Sequence, residues 1–408
     1  MRLRLEARIP VWRLAGHHRG GARVSRAHGS IYTAPVPAGR RIAAGLLLGY
    51  APHLTTWSRS VTQLGLFESP APEGRSRVDP HAGGAWALQA SVEAGGRLAA
   101  RLPDLVRMGT SSWSFPGWVG LVYSAKRSPA ELAREGLREY ARHPLLRTVG
   151  VDRSFYGPIS DADLRRYADQ LPPGFPCCLK APSSVTAPVV HGADRTRGGL
   201  PNSTFLSAEQ FIADLLEPCA RAFRDHCGPF VLEISPVPRE HALDPSAFVE
   251  RLDDCLDRLP RDFAYAVELR DRRLFTAGYR RVLARHAAAH VYNYWSAMPT
   301  PGRQAAEHPV GDNPFTLVRL LLKPGTWYEA QRSRFQPFDR LVAPDPVMRA
   351  EVTDLLLAAI AHQRPAYVLV NNKAEGSAPL TVHALAECLA EHFAADPEEA
   401  GEGPGRDR

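Results

Sequence analysis

Lysine is almost missing from this sequence. Its 408 residues include 50 basic side chains, yet lysine stands at only four positions, Lys126, Lys180, Lys323 and Lys373. Arginine supplies the rest. Either residue serves as a solvated surface charge, so a lysine kept against such a bias suggests a need for a compact ammonium. Lys180, Lys323 and Lys373 all fall at the ends of predicted strands. Acidic residues are missing in a different way, with none from Ala7 to Phe67. Fifteen arginines, no lysine and six acids give residues 1–107 a charge of +9, and the remainder holds 35 basic against 37 acidic groups. The net charge of +7 therefore belongs to the N-terminal segment. An argument for nucleic-acid binding from total charge concerns that segment alone.

Other absences exclude whole classes. No apolar run approaches the ~20 residues needed to span a bilayer; the longest, Ile42 to Ala51, is short and broken by glycine, so no membrane contact is expected. The six cysteines form no Cys-x-x-Cys pair and no Cys/His set with zinc spacing. Scattered in this way they read as reduced thiols of a cytoplasmic protein. The histidines of the body fall in helices, in loops or, for His290, at the opening end of a strand, so no metal and no cofactor is expected. No Walker loop or Gly-x-Gly-x-x-Gly turn is present, and no Ser-His-Asp or Cys-His motif.

What is present is a regular alternation of strand and helix signals. Strands are expected at Leu105–Thr110, Leu146–Asp152, Phe175–Ala181, Phe230–Ser235, Phe263–Leu269, His290–Tyr294, Phe315–Lys323 and Tyr367–Asn371. Amphipathic runs such as "SPAELAREGLREYARH" and "DPSAFVERLDDCLDRL" lie between them. Several open on Ser or Asp followed by Pro or an acid, which is N-cap chemistry. The sixth crossover is weak, with a short helix near Ala305. Eight such units in about 290 residues predict an α/β protein of the TIM-type (β/α)8 barrel class. An open doubly wound sheet is the competitor, but its glycine turn is absent. The barrel is expected over residues 105–394. Residues 1–104 read as an Arg-rich, disordered extension and 395–408 as a disordered tail.

Four pieces then stand out in order: "GTSSWSFPGWVGLVY", "VGVDRSFYGPI", "FPCCLKAPSSVT" and "VLVNNKAEGSAP", with "AVELRD" between the last two. Together they resemble the YecE-like family, domain of unknown function 72, over roughly Met108 to His392. The resemblance implies a TIM-type barrel and implies no activity. It points to Gly109, Thr110, Ser112, Trp113, Ser114 and Trp118 after the first strand, and to Ser154, Phe155 and Tyr156 after the second. Lys180, Ala181 and Pro182 follow from the third strand, Glu268 and Arg270 from the fifth, and Asn371, Asn372 and Gly376 from the eighth. The chain departs from the family pattern at Gly150, commonly a glutamate, at Asp152, commonly an asparagine, and at Glu233 in "LEISP". It resembles a divergent branch.

In such barrels ligands bind at the C-terminal ends of the strands. The carboxylates Asp152, Glu233 and Glu268 are candidates for general acid and base, and their structural alternative is a ring of ion pairs with Lys180 and Arg270. Trp113, Arg153, Ser154, Tyr156, Lys180, Arg270, Asn293, Lys323, Asn371, Asn372 and Lys373 are candidate ligand contacts. Gly376 and Ser377 would present backbone N–H groups to a phosphate at a helix start, or simply cap that helix. Trp118, Phe155, Tyr292, Trp295, Trp327 and Tyr328 add aromatic surface near the same rim. These residues suggest a metal-independent enzyme, a hydrolase, lyase or isomerase working by carboxylate acid–base chemistry on a small phosphorylated or nucleotide-like anion. The alternatives are a non-catalytic module binding protein, or nucleic acid through the Arg-rich extension, and a carbohydrate-active barrel resting on aromatics plus acids.

Overall fold

The period-two alternation of the apolar segments produces eight parallel strands that close on themselves. The computed structural model describes residues 80–190, 199–236 and 241–393. In chain order the strands are β1 (Val106–Thr110), β2 (Thr148–Val151), β3 (Cys177–Lys180), β4 (Val189–Val190), β5 (Leu200–Pro201), β6 (Cys227–Glu233), β7 (Tyr265–Glu268), β8 (Ala289–Tyr294), β9 (Thr316–Leu320) and β10 (Ala366–Val370). Around the barrel the order is β1-β10-β9-β8-β7-β6-β3-β2. The fold is the expected TIM-type (β/α)8 barrel, and every expected barrel strand is found within a few residues of its predicted bounds. The short antiparallel pair β4 and β5 was not foreseen; it sits in the connection after β3, where two-residue strands leave no periodic signal.

Alternate residues on each strand serve two different environments. One set, Cys178, Val231, Ala266, Ala289, Val291, Phe315, Leu317 and Leu369, packs together as the barrel's inner core. The other, including Val149, Val151, Leu179, Phe230, Leu232, Val267 and Val368, meets the surrounding helices. Continuing the inner set two residues toward the strand ends reaches Lys180, Glu233, Glu268, Asn293, Arg319 and Asn371. The apolar filling thus gives way to a polar layer at the C-terminal mouth by the alternation alone.

The helices begin where N-cap chemistry places them. Ser128 and Glu131 form a capping box ahead of helix Pro129–Glu135, and Ser160, Asp244 and Asp345 each accept from backbone N–H groups at their helix starts. The weak sixth crossover holds helix Pro301–Glu307. Helix Pro80–Ala99 precedes β1, within the span read as an extension without structure. Ser91 in it donates to the Leu121 carbonyl at 3.0 Å, and Arg101 just beyond donates to the Ala390 carbonyl at 2.7 Å. The remainder of the Arg-rich extension and the tail from residue 394 lie outside the described residues, as does any nucleic-acid contact through them. No helix among the described residues is long and apolar enough to cross a membrane. All six cysteines are free.

Gly109 shows how closely the strands are drawn together. A Cβ there would lie 1.8 Å from the Thr148 carbonyl oxygen of the neighbouring strand, closer than any packing permits. Gly109→Ala is therefore expected to force β1 and β2 apart and to cost about 3 kcal/mol of stability, read as a lower urea midpoint; an unchanged midpoint would contradict this register.

Candidate functional site

Parallel pairing puts Glu233 of β6 directly beside Glu268 of β7. Two adjacent buried carboxylates repel unless cations lie between them. Arg319 of β9 supplies one: its Nη1 donates to Oε2 of both Glu268 and Glu233, and its Nη2 reaches Asp152 Oδ1 at 3.4 Å. Arg270 Nη2 lies 2.6 Å from Glu233 Oε2 and 2.9 Å from Glu268 Oε1. Lys180 Nζ is 2.9 Å from Glu233 Oε2. Asn293 Nδ2 donates to the Leu269 carbonyl at 2.7 Å and to Glu268 Oε1 at 3.3 Å. The three cations balance Asp152, Glu233 and Glu268.

Burial alone would push the Glu233 carboxyl up. Arg270, Lys180 and Arg319 outweigh it and hold the group well below the usual carboxylate range. For Arg319 burial acts against the charge, and Glu268, Asp152 and Glu233 together raise its pKa above that of an ordinary guanidinium. The ion-pair ring among Glu233, Glu268, Lys180 and Arg270 is thus present, with Arg319 at its centre. Glu268, expected as an acid–base group, is wholly buried and accepts from a guanidinium on each oxygen. Each of its oxygens thus has a cation beside it.

Aromatic rings close over three of the mouth's cations. Lys180 Nζ sits 3.6 Å from the Phe155 ring centroid, the Arg270 guanidinium 4.1 Å from Trp295, and Lys373 Nζ 4.4 Å from Tyr328. Such contacts stabilise a desolvated cation by about 2 kcal/mol. Lys180 and Arg270 each have both a ring and a carboxylate in contact. Lys373 has the ring, and no carboxylate among the described residues lies within ion-pair reach of its Nζ. It is 4% exposed. Burial and the positive charge of Arg332 outweigh the fields of Asp152 and Glu329 and bring its pKa down to about 8.

Asp152 faces this lysine's environment from the end of β2. One oxygen takes the long contact from Arg319, and Oδ2 has no donor among the described residues. Tyr156 stands nearby, 42% exposed; burial, then Asp152, Tyr328 and Glu233, raise its hydroxyl pKa.

Several expected ligand contacts have other work. Trp113 is buried, donates to the Leu132 carbonyl at 2.9 Å and packs edge-on against Tyr167. Ser154 donates to the carbonyls of Val151 and Lys180 at 3.1 and 2.5 Å, tying the turn after β2 to β3. That turn swings Arg153 away from the mouth to Asp163 at 3.0 Å, with over half its side chain exposed. Lys323 pairs with Asp345 at 2.8 Å. Asn371 Oδ1 accepts from the Lys373 backbone N–H at 3.1 Å, shaping the loop that carries the ammonium. Asn372 Oδ1 accepts from Ala378 N–H at 2.8 Å and from Trp118 Nε1 at 3.2 Å. It thereby caps helix Ala378–Ala390.

The phosphate cradle expected at Gly376 and Ser377 is accordingly filled by protein. Ser377 is wholly buried, and a Cβ on Gly376, at φ 125°, would meet the Arg340 carbonyl at 2.5 Å. Glu375 beside them is buried and held by Arg349 at 2.9 Å. The loop is thus fastened to the segment ahead of helix Pro346–Ala361.

The family model described as "Protein of unknown function DUF72" matches residues 107–403. The chain belongs to the DUF72 family. Among solved structures it is similar to a DUF72 family protein from Enterococcus faecalis, at 18% identity and a TM-score of 0.48, covering 71% of this chain and 97% of that one. It is also similar to one from Thermotoga maritima, at 20% identity and a TM-score of 0.48, covering 70% and 98%. No curated protein matches the chain.

Within this DUF72 barrel the motif residues fall into two groups. Trp113, Trp118, Ser154, Asn372 and Gly376 hold loops in place, whereas Lys180, Glu268 and Arg270 make the buried ion network. Gly150 stands where a Cβ would come within 2.7 Å of the Ser111 carbonyl, so this chain has no room there for the family's common glutamate. Arg319 was missed by reading strand ends, because it lies inside a strand. The signal was available: a charge in "TLVRLLL", two residues beyond the inward-facing Leu317.

The depressed Glu233 carboxyl ties stability to pH. A group with a folded pKa below its unfolded value, ~4.3, contributes stability above that value and loses it as pH falls through the folded one. Glu233→Gln should cost about 3 kcal/mol at pH 7, and its stability should fall less steeply than the wild type's between pH 5 and 2. Parallel acid-unfolding curves would show that Glu233 carries no such coupling.

Proposed function

We propose that the mouth of the barrel binds a small anionic ligand, anchored by Lys373, with Asp152 exchanging protons with it. The observation that carries this reading is the Lys373 ammonium, buried under Tyr328 with no carboxylate partner among the described residues. A buried ammonium without a counterion costs free energy, and a ligand that brings the negative charge recovers it. Lys180 and Arg270 were expected to hold the anion. Both are already neutralised by Glu233 and Glu268, which leaves Lys373 as the anchor.

One further feature supports the reading. Asp152, with one oxygen that has no donor among the described residues, stands near Tyr156 and Tyr328 and suits transfer of a proton. Glu233, held ionised by three cations, keeps the guanidinium groups in place rather than titrating. The reaction class that fits is acid–base chemistry of the hydrolase, lyase or isomerase kind on a phosphate- or carboxylate-bearing molecule.

Lys373→Met separates a binding role from a structural one. At pH 7 the free variant should be more stable than the wild type by about 1–3 kcal/mol, because the desolvated charge is gone. Inorganic phosphate and adenosine monophosphate should raise the wild-type Tm and leave the variant's unmoved. Equal ligand responses, or a variant less stable than the wild type, would overturn the reading.

A further inference from the structure

Lysine chemistry at the mouth extends beyond holding an anion. We propose that Lys373 is an amine nucleophile that forms a Schiff base with a 2-oxo acid in the barrel mouth. The inference rests on the anion-binding reading and names a substrate class for the same site.

Three observations carry it. Lys373 lies just past the C-terminal end of β10, nine-tenths or more buried, with an aromatic face on one side. Among the described residues no carboxylate lies within ion-pair reach of its Nζ, unlike Lys180 on Glu233 and Lys323 on Asp345. Asp152, whose Oδ2 has no donor among the described residues, acts on it electrostatically from the end of β2. A buried lysine kept free of a salt bridge is the arrangement that supplies a neutral amine near neutral pH. A 2-oxo acid fits because its carboxylate, adjacent to the reacting carbon, gives the resulting cation the counterion the protein withholds.

The step balances without an oxidant or reductant. The ammonium first gives a proton to solvent. The Nζ lone pair then bonds to the carbonyl carbon, and the carbonyl π pair moves to oxygen, which takes a proton back from solvent. Nitrogen passes one proton through a bridging water to Asp152, which lies beyond direct ion-pair reach, leaving a carbinolamine. By the same path Asp152 returns a proton to the hydroxyl, the C–O bond breaks and water leaves as the nitrogen pair forms C=N. The protonated imine carries the single positive charge that the ammonium carried before. The groups facing Nζ are Asp152 from the β2 end and Tyr328, Glu329 and Arg332 from helix Tyr328–Phe335.

The four-lysine sequence makes the test clean. The full-length protein is incubated with pyruvate and sodium borohydride, and the adduct is mapped by peptide mass spectrometry. One reduced adduct is expected on Lys373, with a yield rising on the order of twentyfold from pH 6.5 to 8.5 as the amine loses its proton. Lys373→Arg keeps the charge, so it should still gain Tm from phosphate, yet form no adduct; Lys126→Arg should trap as the wild type does. Pyruvate that raises Tm but leaves no adduct, or labels Lys126, Lys323 or the N-terminus instead, overturns the covalent step and leaves the anion reading intact. Failure of both pyruvate and phosphate to raise the wild-type Tm overturns the two together.

Discussion

The guanidinium of Arg319 is the constraint on which the polar end of this barrel depends. Strand pairing sets Glu233 beside Glu268, and inward alternation brings Asp152 to the same layer. Three acids in a space closed by apolar side chains cannot remain ionised without cations, since desolvation opposes each charge. A rigid fork with several donors can serve all three carboxylates at once, which the point charge of a lysine cannot. Arg319 makes that contact from β9, and Arg270 and Lys180 complete the balance. With one carboxylate removed, the remaining charges would be buried and unpaired, and the cost would fall on the whole ring of strands.

That balance decides which groups are left to act. Charges that neutralise one another hold geometry; they have little capacity left for a ligand. Lys180, Arg270, Arg319, Glu233 and Glu268 are of this kind, and Phe155 and Trp295 pack against two of the cations. Lys373 and Asp152 lie at the edge of the network and are less completely paired. Fixed charges around a less satisfied, buried ammonium are an arrangement in which a perturbed titration points to a functional site. The sequence bias draws attention to the same place: in a chain that uses arginine almost everywhere, one of its four lysines, Lys373, occupies this less completely paired position.

Much of this was legible in the sequence, for identifiable reasons. Strands buried on both faces leave continuous apolar runs, and caps such as Ser128 and Asp244 mark helix starts, so the barrel could be drawn before the structure was seen. Lys180, Glu268 and Arg270 could be placed on one rim because the barrel brings strand ends together. Their partners could not, since pairing depends on register and on which way each turn leaves its strand. Arg153 follows Asp152 by one residue, yet the turn at the end of β2 sends the two to opposite sides. Trp113 and Ser154 look like site residues by type and bond instead to carbonyls of neighbouring elements, which no local pattern reveals. Helix Pro80–Ala99 escaped notice because glycine and alanine fill it and blur the apolar period. Arg319 escaped because a strand interior was taken as core.

The central claim is that, among the described residues, the mouth's charges are balanced except at Lys373. Side-chain NMR of the four lysines, with Lys373 assigned by its arginine variant, tests it directly through a pH titration of each ammonium. The account predicts a Lys373 pKa of about 8 that climbs when phosphate is added, as an incoming anion favours the charged form. A Lys373 that titrates like a free lysine, near 10.4, and ignores phosphate would contradict it.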